Sequence, residues 1–194
     1  SGALSEVAQS QITAPVTGTQ AALGGMMTVE LTADTRVQFG GANARDDTGA
    51  CIWVSRVEVD LILQGTLYVN AMYQPGTCMH NAIAEHELEH YQQSQQLVLQ
   101  ELSSVQRTAM AKLDEIGVVG PMAPEVARQQ GKPIGDAMTA AVQAEINRLN
   151  IAQQELHAAH DNPIENLETL TACREGGGFV HQPPDLEQLM GAPK

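Results

Sequence analysis

The stretch "AEHELEHYQQS", residues 84–94, decides how the rest of the chain is read. It contains His-Glu-x-x-His, with His86 and His90 four residues apart and Glu87 directly after the first of them. No Gly or Pro occurs from Met79 to Ile116, and Ile83, Tyr91, Val98, Leu102, Val105, Ala109 and Ile116 recur on one stripe at helical spacing. The spacing predicts one long helix, closed by Gly117 and about 55 Å long at 1.5 Å per residue. On such a helix His86 and His90 share a face, where two ring nitrogens reach one zinc ion at about 2 Å each. Glu87 is then the general base for a water held by that ion. The competing reading is a solvated acidic face, because Glu85 and Glu89 flank the motif.

A catalytic zinc takes three protein ligands, so a third has to come from elsewhere in the chain. A second helix is expected from Asp136, a good N-cap, to His160, with Met138, Val142, Ile146, Leu149 and Leu156 as its stripe. His160 falls within about 20° of the direction of Leu149, eleven residues making almost three full turns. From His90 to Ile116 is about 39 Å of helix, and from Asp136 back to His160 about 36 Å. Antiparallel packing therefore returns His160 to the level of the His pair, which makes it the expected third ligand. His157 and Asp161 are the substitutes, Glu155 or Asp161 serves as an orienting acid, and Glu145 stands too far up the helix.

Before the first helix the pattern changes. "MMTVEL", "TRVQF", "CIWVSRVEVDLIL" and "TLYVNAMY" are short segments rich in β-branched residues. In "RVEVDLIL", Val57, Val59, Leu61 and Leu63 alternate with polar residues, and Gln64-Gly65 reads as a tight turn into a further strand. The fold class that follows is α+β: a small, mostly antiparallel sheet and two long antiparallel helices, the first carrying the motif. Residues 1–25 read as a flexible leader, 26–175 as one domain and 176–194 as an irregular tail. "GVVGPMAPEVARQQGKPIGD" reads as a connector broken by prolines, and "PIENLETLTAC" as a short third helix.

Composition excludes several partners. With 23 acidic and 10 basic residues the net charge is −13, which opposes binding to a phosphate backbone or an anionic membrane. No apolar run is long enough to span a bilayer. Aromatics make up only 3%, so the core must be aliphatic. Of three cysteines, Cys51 and Cys78 bracket the segment before the motif helix. A bridge between them and three reduced thiols are both open readings. The polar start of the chain fits a trimmed leader after an export signal. Tyr91 and Tyr73 are candidate oxyanion donors whose commoner role is packing. His80 opens the first helix, and His181 lies in the tail.

Residues Glu85 to His90 match the zincin metallopeptidase signature. The layout over about residues 50–165 resembles more narrowly an uncharacterised bacterial family of predicted secreted Zn-dependent proteases. That family's late motif, Tyr-Asp-x-x-Thr-x-His-Gly, falls on "QELHAAHD", with Glu155 at the acid and His160 at the histidine. Gln154, Ala158 and Asp161 depart from its Tyr, Thr and Gly. A second register sets Asp161 on the acid, with His160 in place of the Tyr. The resemblance implies a bound Zn2+, a peptide or protein substrate, export to the periplasm or outside the cell, and an edge strand, here "TLYVNAMY", that pairs with the substrate. The oligomeric state is unknown. The alternative is a non-catalytic metal-binding or helical interaction protein, a degenerate zincin. A di-iron bundle fits poorly, because the second helix has no Glu three residues before a His.

Overall fold

The computed structural model describes residues 24–43, 49–161 and 173. The elements are β1 (Gly25–Asn43), β2 (Ala50–Val69), α1 (Cys78–Ile116), β3 (Val118–Met122) and α2 (Pro124–His160). This is the α+β class expected, with a three-stranded antiparallel sheet in the order β1-β2-β3. Residues 1–23 of the leader, the helix expected over 163–173 apart from Cys173, and the tail with His181 lie outside the described residues.

Three expectations change. Gln64-Gly65 is not a turn: β2 runs unbroken for 20 residues from Ala50 to Val69. Gly65 serves a different purpose, since a Cβ there would lie 2.6 Å from the Tyr91 ring. The connector is not broken by its prolines either. Pro124 stands at the first helical position, where its missing N–H is harmless, and Ala127 N–H already donates to Ala123 O. Pro133 lies inside α2. The helix persists through it because Ala127, Ile134 and Met138 are buried in one stripe, and Gly131 and Gly135 lie against Phe39. That packing offsets the roughly 3 kcal/mol an interior proline costs. Asp136 is therefore an interior residue, paired with Lys132, rather than an N-cap. The end of α1 is as read: Gly117 adopts φ +57° and its N–H reaches Leu113 O.

The third change is the disulfide. Cys78 pairs with Cys173, and Cys51 is free, so the bridge considered between Cys51 and Cys78 does not form.

Contacts divide the chain into two compact units. The first takes its described residues from 31–62 and 98–151, and in it Met138, Val142, Ile146 and Leu149 are fully buried along α2. Asn150 uses its side-chain amide on both main-chain groups of Leu31, donating to its O at 2.9 Å and accepting from its N–H at 3.0 Å. That bond covers part of the open edge of β1. Arg148 joins Glu101 and Glu145, and Ser104 donates to Glu145. The Arg148 hydrogen bond holds the Glu145 carboxyl below its ordinary range.

The second unit takes its described residues from 24–30, 63–97 and 152–161, with Cys173. Its buried apolar side chains among the described residues are Leu67, Ile83, Leu88 and Tyr91. The buried polar ones, Glu87, His90, Ser94 and Gln153, all belong to it. Leu156, expected in the stripe, is exposed.

Candidate metal centre

Two faces of α1 do different work in the second unit. Ile83, Glu87 and Tyr91 recur every fourth residue and lie against glycines of the strands. A Cβ at Gly25 would stand 2.5 Å from Ile83 Cγ2 and 2.9 Å from Glu87 Oε1. Only a strand without side chains at these points lets the helix come so close. The neighbouring stripe, His86, His90 and Ser94, meets the last turns of α2. The pairs Ser94–His157 and His90–Asp161 run in opposite chain directions, so α1 and α2 are antiparallel here.

Both histidines of the motif turn Nε2 toward Asp161. His90 Nε2 lies 2.9 Å and His86 Nε2 3.4 Å from Asp161 Oδ1. The ligand atoms of His86, His90 and Asp161 lie within 4.8 Å of one another, and so do those of His86, Glu89 and His160. Ligands held at 2.0–2.1 Å around a tetrahedral ion stand about 3.3 Å apart, a separation close to both histidine–Asp161 distances of the first set.

His160, expected from its helical phase, stacks on His86 at 5.5 Å between centroids and meets the His90 ring edge-on at 5.1 Å. Its Nε2 lies 3.4 Å from Glu89 Oε2. His157 is occupied otherwise. Its Nε2 donates to His90 O at 3.0 Å and lies 2.8 Å from Ser94 Oγ, which ties α2 to the backbone of α1. Tyr91 packs over Gly65, and Tyr73 has its ring near Gly24. Glu145 is engaged in the first unit.

Burial sets the electrostatics. Glu87 is 7% exposed, and its pKa is pushed up from 4.5 to about 7, first by burial and then by the nearby Asp161 charge, against a hydrogen bond from the Met27 main chain. His90 is held below its ordinary value by burial, with Asp161 opposing and the three neighbouring imidazoles adding to the shift. Burial likewise lowers His157. Neutral imidazole is the form that binds metals.

A stability difference follows for the metal-free protein. Glu87 binds its proton more tightly when folded, so its contribution is complete below about pH 4.5 and is lost as pH rises through about 7, roughly 3 kcal/mol in all. His90 and His157 act in the opposite sense, since their contribution is present above about pH 6.5 and is lost as pH falls below it. Subtracting the urea-unfolding profile of Glu87→Gln from that of wild type isolates the carboxyl. The difference is expected to fall across pH 4.5–7, and a flat difference would place Glu87 in water.

Residues that the sequence reading passed over had weak signals of their own. Ser94 continues the spacing of four from His86 and His90. Gln153 is a lone polar residue on the buried stripe of α2, and Gly24 and Gly25 stand at the start of the first strand. Compared with known proteins, the chain matches no family model, no curated protein and no solved structure.

Proposed function

We propose that this protein is a zinc-dependent metallopeptidase, with His86, His90 and Asp161 as metal ligands and Glu87 as general base. The observation that carries the reading is the convergence of two imidazole nitrogens on one carboxylate oxygen, with a second, buried carboxyl beside it. Asp161, a substitute in the sequence reading, takes the third place because both Nε2 atoms already face it. Zinc, when bound, supplies Lewis acidity toward a carbonyl and lowers the pKa of a bound water to about 7.

The chain's own residues do the rest. Glu87 accepts a proton from the attacking water and delivers it to the leaving amine. Its main-chain bond to Met27 and the close approach of Gly25 hold the carboxyl in one place. His157 fixes the His90 turn through the His90 carbonyl. The strand expected to pair with substrate, 66–73, forms the end of β2 as far as Val69; β3 pairs with β2 only over Ala50–Trp53, so among the described strands this end has β1 on one side alone. An extended peptide would lie along that open edge of β2. No helix among the described residues is long and apolar enough to cross a membrane. The disulfide fits an oxidising compartment, so export belongs to the proposal.

The test is metal analysis and casein hydrolysis by purified protein. About one zinc per chain is expected, with activity removed by a chelator and restored by zinc. Absence of zinc from reconstituted protein would sink the metal reading. Zinc without hydrolysis would make the protein a non-catalytic metal binder.

A further inference from the structure

The centre proposed above leaves a three-ligand set unused. His86, Glu89 and His160 also bring their ligand atoms within 4.8 Å of one another. Both sets therefore contain His86. A neutral imidazole offers one lone pair and one N–H, so His86 can serve a single ion at a time. The two sets are alternative positions for one ion.

Their composition is the same: two imidazoles and one carboxylate each. They are also built from adjacent residues, Glu89 beside His90 on α1 and His160 beside Asp161 at the end of α2. Moving an ion between them exchanges one imidazole for its neighbour's carboxylate on one helix and the reverse on the other. The charge around the ion does not change, and His86 is common to both positions.

Access differs between them. The two carboxylates are similarly exposed, Glu89 at 54% and Asp161 at 46%, so the difference lies in the imidazoles: the His160 side chain is 21% exposed and that of His90 3%. A hydrated ion arriving from solvent can reach both Glu89 and His160 and shed water stepwise there, whereas His90 is shut away. Glu87, the buried carboxyl, feels the charge of Asp161 and so stands with the inner set.

We propose that His86, Glu89 and His160 form an outer site that captures zinc, and that His86 carries the ion on to His90 and Asp161. The inference rests on the metal reading of the inner set but not on peptidase activity.

The test measures zinc binding and exchange against a chromogenic chelator, with the full chain and far-UV circular dichroism as the check on folding. Wild type is expected to bind one zinc. Glu89→Ala with His160→Ala is expected to bind one zinc at nearly unchanged affinity, with uptake and release both slowed by about tenfold or more. His90→Ala with Asp161→Ala is expected to keep one zinc, bound about a hundredfold more weakly. Loss of zinc affinity in the first double variant would overturn the proposal by making Glu89 or His160 an equilibrium ligand. So would a natively folded second double variant that binds none, or two zinc ions on wild type. A second double variant that binds none, or a second zinc on wild type, leaves the peptidase reading standing; loss of affinity in the first double variant would also revise its ligand set, and a wild type without zinc ends both.

Discussion

Glu87→Gln is expected to keep its zinc and lose about a thousandfold in kcat, with KM little changed. The substitution is nearly isosteric, and the carboxamide oxygen can still accept the Met27 hydrogen bond. The packing of α1 against Gly25 therefore survives, and the three ligands keep their places. In the proposed mechanism what disappears is the group that takes and returns a proton, which contributes about 10²–10⁴ in rate when well placed. Single-turnover peptide hydrolysis, run beside metal analysis of the same preparation, separates loss of the base from loss of the ion. Retention of full activity would remove Glu87 from the mechanism.

Opening the disulfide is the second large effect. Cys78 and Cys173 are 95 residues apart, so their bond closes a loop that contains both helices and every candidate ligand. In the chain-entropy account a loop of that length stabilises the native state by about 4–5 kcal/mol. Cys173→Ser is expected to lose most of this, seen as a lower midpoint in denaturant, while Cys51→Ser, at a half-buried free thiol, shifts it by less than about 1 kcal/mol. Adding reductant to wild type should reproduce the Cys173→Ser curve. Coincident midpoints for Cys173→Ser and untreated wild type would count against the bridge.

The parts of this molecule written in local pattern were legible. The uninterrupted run before Gly117 gave α1 within two residues at its start, and the His spacing gave one face of it. The phase of α2 brought Met138 to Leu149 inward and its last turn to the His pair. What escaped was decided by partners distant in sequence. Pro133 reads as a break until Phe39 and Ile52 are known to pack beside Gly131. Gly65 reads as a turn until Tyr91 is known to lie over it. Leu156 continues the apolar period, yet the stripe swings instead through Gln153 to His157. Cys78 had a nearer partner in sequence than the one it takes, because pairing follows distance in space. The centre itself was half legible. Spacing named His86, Glu87 and His90, whereas the facing of two nitrogens toward Asp161 needed the end of α2 in place.

The uneven distribution of buried side chains has a consequence for how the protein would respond to its surroundings. The unit that holds Met138, Val142, Ile146 and Leu149 carries its own hydrophobic stabilisation. Among the described residues, the unit that holds Glu87, His90, Ser94 and Gln153 buries four apolar side chains, Leu67, Ile83, Leu88 and Tyr91. An ion that binds only the folded form would add about 4 kcal/mol at a thousandfold excess over its dissociation constant. Order in that unit would then track the free zinc around it. One half of the chain would be indifferent to metal supply, and the other would act as its gauge.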